Sequence, residues 1–243
     1  MKKKLLSVCI ATLGLVAASN AQAILLSDLF AGGTVTAGDK LFDGWNLVDY
    51  STTVAGRTLD ASNIEVFALD DGGMDPGPGL RFVANNGELS VTGDGTYAFV
   101  DLWFGFRVTV LDSDKWVKDT SLRLTGGSIR AAGDNGFYIN EVIGTAPELD
   151  DLGMNEVEFS YLDLTDEGDP GPGLISVLED SVEFDRQKSI WVTKNVIVWA
   201  TGIEENPSLT EFQQRYSQIP EPASLALLGI GLFGLAARRV RRS

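Results

Sequence analysis

The sequence predicts an all-β protein: a single-domain antiparallel β-sandwich, flanked by an N-terminal signal helix and a C-terminal transmembrane helix. Three observations carry this expectation. Between positions 24 and 219 the periodicity of apolar residues is mostly two, the period of a strand. Gly and Asp clusters cut that stretch into many short runs. Each end of the chain is a separate apolar stretch bordered by basic residues, which sets it apart from the fold.

Taken in order, Lys2, Lys3 and Lys4 form a charged start, and Leu5 to Ala18 is an apolar run of signal-peptide length. It is too short and too rich in small residues for a comfortable transmembrane helix, and the alternative to a cleaved signal is an uncleaved N-terminal anchor. Ala21 and Ala23 place small side chains at the two positions a signal peptidase reads, so cleavage is expected after Ala23. Residues 1–23 are therefore a signal peptide, and residues 24–219 the body.

In the body the clearest strand starts at Val100. Val100, Leu102, Phe104, Phe106, Val108 and Val110 share one face, while Asp101, Trp103, Gly105, Arg107 and Thr109 share the other. Val157, Phe159 and Tyr161 alternate with Glu156, Glu158 and Ser160 in the same way. Residues 190–200 are β-branched and aromatic, which suits a strand near a sheet centre. Shorter strands are expected at residues 45–50, 64–69, 80–83, 122–124, 137–142 and 209–216. No internal segment has a helical stripe of useful length. Asp75-Pro76-Gly77-Pro78-Gly79-Leu80 recurs as Asp169-Pro170-Gly171-Pro172-Gly173-Leu174. Either the body is duplicated, or a stiff turn is used twice because its φ preferences lead into a strand.

Composition excludes several functions. The only cysteine, Cys9, falls in the signal, so the body holds no thiol. Histidine is absent, which removes Ser-His-Asp and Cys-His nucleophiles and any His-ligated zinc. The body carries 12 basic and 33 acidic residues, a net charge of −21. Such a field repels nucleic acid, so no nucleic-acid partner is expected. No cofactor is implied.

After Gln218 the chemistry changes. Pro220, Glu221 and Pro222 precede an apolar stretch, Ala223 to Ala237, and then Arg238, Arg239, Arg241 and Arg242. The prolines isolate the stretch from the body. As a helix it would span about 22 Å, short against a hydrocarbon core of roughly 30 Å. The arginines act as a cytoplasmic stop and leave the body outside, the orientation that the signal also demands. Residues 220–243 are thus a membrane-sorting tail.

Pro-Glu-Pro, a short Gly-containing apolar helix and an Arg cluster, in that order, resemble the PEP-CTERM sorting signal of Gram-negative bacteria. The resemblance covers residues 220–243. It implies an exported protein, held in the inner membrane by the C-terminal helix until exosortase processes it near Pro220-Glu221-Pro222. It also implies delivery to the cell surface or extracellular matrix, with exopolysaccharide as a partner. Within the body, Pro78-Gly79-Leu80-Arg81-Phe82, Asn140-Glu141-Val142 and residues 212–218 are similar to patterns in β-rich domains that precede such tails. None carries a known active site.

The body is expected to be non-enzymatic. Its 33 acids contain pairs at almost any spacing, so a carboxylate pair for glycoside hydrolysis cannot be singled out. No metal ligands are assigned. The calcium candidates are Asp70, Asp71 and Asp75 in one Gly-bent loop, and Asp166 and Asp169 with Asp163 and Glu167 in another. Neither loop matches an EF-hand pattern, and solvated turn carboxylates account for both. Trp45, Trp103, Trp116, Trp191 and Trp199 are expected in the core. Exposed, they would instead stack on sugar rings. The alternative to a surface or matrix protein is accordingly a secreted carbohydrate- or calcium-binding module, and exposed tryptophans would favour it.

Overall fold

The computed structural model describes residues 22–130, 133–162 and 173–220, and its strands fall on the period-two runs. In chain order they are β1 (Ile24–Leu25), β2 (Val35–Ala37), β3 (Lys40–Thr52), β4 (Ile64–Leu69), β5 (Gly79–Ala84), β6 (Ala98–Val110) and β7 (Lys115–Ser128). There follow β8 (Asn135–Gly144), β9 (Gly153–Leu162), β10 (Gly173–Val177), β11 (Glu179–Gln187), β12 (Ser189–Ala200) and β13 (Ser208–Pro220). A single short α-helix among the described residues, α1, covers Leu26–Phe30 and tucks Leu26 and Leu29 into the core. Signal residues 1–21 and the expected span 223–237 lie outside the described residues. Among the described residues no helix is long and apolar enough to cross a membrane.

Two antiparallel sheets result. One runs β1-β4-β5-β13-β7-β11 and the other β10-β9-β8-β12-β6-β3-β2. They face one another in a sandwich-like arrangement across one aromatic core. Phe82 on β5 stacks on Phe212 of β13 at 4.6 Å and meets Phe104, Phe106 and Trp45 of the other sheet at 5.7, 6.4 and 6.3 Å. Trp45 stacks on Phe106 at 4.5 Å, and its indole N–H donates to the Phe42 carbonyl. These contacts lock the sheets face to face, so either sheet's outer surface is placed by the alternation of its own strands.

Several strands are longer than their apolar runs. The run 122–124 is the middle of β7, because β7 is paired on both sides, by β13 and β11, and the ladders draw its polar flanks into the sheet. β11 was not legible because it lies at a sheet edge with charged residues on its exposed face. The strands that follow the two Pro-Gly-Pro-Gly copies do not occupy equivalent places. The first leads into β5, an interior strand, whereas Gly173 of the second begins β10 at the edge of the other sheet. The first copy lies flat on β13: a Cβ at Gly77 or Gly79 would sit 1.9 Å from the carbonyl oxygen of Tyr216 or Gln214. Close backbone approach therefore explains these glycines, and the duplication alternative finds no support.

Candidate functional site

The outer face of the seven-stranded sheet is made by the residues that alternate with its core set. Because β6 turns Val100, Leu102, Phe104 and Phe106 inward, Asp101, Trp103 and Arg107 face out. β12 buries Ile190, Val192, Val196 and Val198, which sends Trp191, Asn195, Ile197 and Trp199 to the same outer face. Strand register then sets them side by side. Asp49, Trp103, Asn195, Asn140 and Glu156 form one row across β3, β6, β12, β8 and β9. Ser51, Asp101, Ile197, Tyr138 and Glu158 form the next row.

The tryptophan expectation is overturned here. Trp45 alone of the five is buried; Trp103 is 41% exposed, and Trp116, Trp191 and Trp199 are part-exposed. The reason is parity: Trp103, Trp191 and Trp199 occupy the odd positions of strands whose even positions fill the core. Trp103 lines a groove of about 290 Å³ with Asn140, Glu148, Asp150, Thr193 and Asn195. Tyr97, Tyr138, Glu158, Ile197 and Trp199 line a second hollow of about 220 Å³ on that face. A further cavity of about 210 Å³, bordered by Leu124, Gly127, Phe137, Phe159 and Leu178, is apolar and bears no titratable group.

The polar groups of the face are held in place. Asn195 donates from Nδ2 to Asp101. Burial raises the Asp101 pKa, the Asn195 bond opposes that rise, and the nearby Asp49 charge adds to it. Tyr138 donates to Glu156 Oε1 at 2.6 Å, and Asn140 Nδ2 donates to the same oxygen at 3.0 Å. Burial first, and then the bond to Glu156, pushes the Tyr138 phenol up to about 12. Arg107 grips Asp43 with two bonds of 2.8 Å while its guanidinium lies 5.6 Å from the Trp191 ring. The arrangement offers flat aromatic faces beside fixed amides and carboxylates, which suits the apolar face and hydroxyl rim of a pyranose.

The calcium candidates lie elsewhere. Asp71 accepts from Arg215 Nη2 at 2.9 Å, and Asp75 accepts from Ser217 Oγ at 3.1 Å with Lys118 Nζ at 3.4 Å. Asp70 is exposed in the same loop. Among the described residues no group of three or more His, Cys, Asp or Glu could hold a metal ion. Asp166 and Asp169 lie outside the described residues, as do Ala21, Glu221, Pro222, Arg238, Arg239, Arg241 and Arg242. Ala23 is part-exposed immediately before β1.

Sequence reasoning missed a second cluster, inside the core. Lys194, Glu141, Asn155, Thr120 and Gln214 are all fully buried. Lys194 Nζ donates to Glu141 Oε2, and Asn155 Nδ2 donates to Glu141 Oε1 at 3.1 Å and to Thr120 Oγ1 at 2.7 Å. Parity was the available signal: Lys194 shares its face with Val192 and Val196, and Glu141 shares its face with Ile139 and Ile143.

At the end of β13, Gln218 Oε1 accepts from the buried Lys40 Nζ at 2.7 Å, and Pro220 stands opposite Lys115. A family profile described as the PEP-CTERM protein-sorting motif matches residues 218–242. The chain carries a PEP-CTERM sorting motif. This PEP-CTERM segment begins inside the folded sheet, with Gln218, Ile219 and Pro220 still paired to β7. A PEP-CTERM motif implies export, cell-surface sorting and processing by exosortase. None of the curated proteins matches the chain. Among solved structures, endoglucanase 3 of Trichoderma harzianum, from family GH12, is similar at 6% identity over 71% of this chain and 97% of that one, with a TM-score of 0.21. A likeness at that score carries no argument about fold or activity.

Proposed function

We propose that the chain is an exosortase-sorted surface or matrix protein whose body binds carbohydrate without cleaving it. The binding surface is the outer face of the seven-stranded sheet. The observation that carries this is Trp103: 41% exposed in mid-sheet, it lines a groove together with two amides and two carboxylates. An indole left facing water at the centre of a sheet has value as a stacking surface, and the neighbouring polar groups supply hydrogen-bond partners for sugar hydroxyls.

A binding role is favoured over hydrolysis by the state of the acids on the face. Glu156 is engaged by Tyr138 and Asn140, and Glu158 accepts from Ser160 Oγ. Asp101 is likewise engaged, by the Asn195 amide. Before processing, the apolar tail would hold the protein in the inner membrane, and the released body would then meet exopolysaccharide.

Affinity electrophoresis of the exported protein through gels containing matrix polysaccharide tests the reading. Retardation is expected for the parent and is lost in Trp103→Ala. Equal mobility of the two proteins in every gel, or release of sugar fragments by the parent, would contradict it.

A further inference from the structure

The fold runs into the tail without a linker. β13 ends at Pro220, which pairs with Lys115 at the start of β7, and the apolar stretch begins at Ala223. From Pro220 to Ala223 the chain reaches at most about 10 Å, even fully extended. The headgroup layer outside a hydrocarbon core is itself roughly 5–8 Å deep. With the apolar stretch in a bilayer, the side chains around Pro220 therefore lie at the lipid headgroups or within a few ångströms of them.

Several connections gather at that end of the sandwich. Loop 111–114 joins β6 to β7, and the Leu111 N–H donates to the Asp39 carbonyl in the β2–β3 turn. The Gln218 N–H donates to the Met74 carbonyl ahead of β5, and Gln187 at the β11–β12 turn pairs with Val117, as Gln218 does. Leu111 is 56% exposed, and Met74 is exposed beside it in the chain's next connection inward. Trp116, the partner of Ile219, is part-exposed and carries two cations, with Arg186 Cζ 5.4 Å and Lys188 Nζ 4.5 Å from its ring. Lys188 also donates to the carbonyls of Asp112, Ser113 and Lys115, which holds the 111–114 loop in place. Lys115 pairs with Asp39 and Asp112, and Lys118 with Asp75 and Asp119. Asp114 and Asp185 lie outside these pairs. Five of the body's 12 basic residues, Lys40, Lys115, Lys118, Arg186 and Lys188, thus collect where the chain leaves the fold, and they offset the carboxylates there.

We propose that this end of the sandwich is a membrane-docking surface, which seats Leu111 and Trp116 among the phospholipid headgroups with Arg186 and Lys188 toward the phosphates. It rests on insertion of the apolar tail, as proposed above, and adds how the body stands on the bilayer. Indole rings and cations on apolar stems suit the interface, because each keeps an apolar part in lipid and a polar part in water. A body of net charge −21 is repelled by an anionic leaflet wherever its carboxylates are unpaired. Tethering within about one Debye length, about 8 Å, therefore selects the end at which they are paired. The strands then stand upright. Trp103 lies further up β6 than Val110, by roughly 23 Å at about 3.3 Å per residue, so the face that carries it stays clear of the bilayer.

Depth-dependent quenching of a label tests this. The unprocessed chain, freed of its signal and so of Cys9, is placed in vesicles of phosphatidylethanolamine and phosphatidylglycerol without exosortase. A fluorophore is attached through Leu111→Cys, or through Ile203→Cys in the β12–β13 connection at the opposite end, where the side chain is 70% exposed. Both side chains lie outside the core, so neither change removes packing. With brominated lipids the Leu111→Cys label is expected to lose most of its emission and the Ile203→Cys label none. Adding Arg186→Glu should weaken the quenching at Leu111→Cys; quenching unchanged by it would overturn the role given to that cation. Flotation separates docking from anchoring. A chain that floats with the vesicles while the Leu111→Cys label stays unquenched would overturn the docking surface and leave the anchor intact. A chain that does not float would overturn both. Quenching that appears only when exosortase shares the vesicle would assign the surface to the enzyme and overturn the lipid reading.

Discussion

Asn195 on β12 stands directly opposite Trp103 on β6, and its amide donates to Asp101, two residues before that tryptophan. A mid-sheet tryptophan, an amide and a carboxylate are thereby fixed as one unit on the outer face, and the carboxylate is the member that senses pH.

The folded-state pKa of Asp101 is raised, chiefly by burial. The native state therefore holds this proton more tightly than the unfolded chain does. Ionised Asp101 costs stability above the folded pKa, and the cost fades as pH falls through that value toward the unfolded one near about 3.9. Asp101→Asn keeps an acceptor for Asn195. We expect its Tm to exceed the parent's at pH 7, with the gap narrowing on acidification, as followed by thermal melts across that range.

Phe82 joins the two sheets through Trp45, Phe104, Phe106 and Phe212 and is almost fully buried. Truncation leaves a cavity that these four rings cannot all close. Phe82→Ala is expected to lower unfolding stability by about 3–5 kcal/mol. Urea denaturation measures it, and a loss smaller than that of a surface substitution would mean the sheets do not pack as described.

Asp71 and Asp75 already face Arg215, Lys118 and Ser217. Millimolar calcium should therefore shift the thermal midpoint no more than sodium at equal ionic strength. A saturable, calcium-specific rise that disappears in Asp71→Asn or Asp75→Asn would restore the calcium-module alternative.

Replacing Pro220, Glu221 and Pro222 with alanine separates sorting from simple anchoring. Export and membrane insertion should persist, while the variant accumulates in the inner membrane with its arginine tail attached. A C-terminal epitope followed in a host that carries exosortase reads this out. Tail loss at the parental rate would leave only a plain anchor.

Much of this was legible in the residues. Alternation from Val100 to Val110 located β6, and β-branched and aromatic content over residues 190–200 located β12; every buried position of the two strands is apolar except Thr193 and Lys194 and the glycine at 105. β3 was read too short because its alternation slips where register shifts fall between Asp43 and Asn46 and between Leu47 and Asp49, beside Gly44 with φ of 64°. The tryptophans were misplaced because indole was weighed by hydrophobicity, whereas parity decides which side of a strand a residue occupies. The same parity puts Lys194 and Glu141 inside, but their mutual neutralisation depends on the β8–β12 register, which no local pattern encodes. Pairing of strands far apart in sequence also decides that Trp103 meets Asn140 and Asn195 in one groove.

Tryptophan fluorescence during titration with oligosaccharides from the host's matrix tests the central claim most directly. Stacking of a sugar on Trp103 removes water from an exposed indole, so the account predicts a saturable blue shift in the parent. The shift should vanish in Trp103→Ala and persist in Trp116→Ala, whose ring lies on β7 of the other sheet. A parent spectrum unchanged up to saturating sugar, or an unaltered shift in Trp103→Ala, would contradict it.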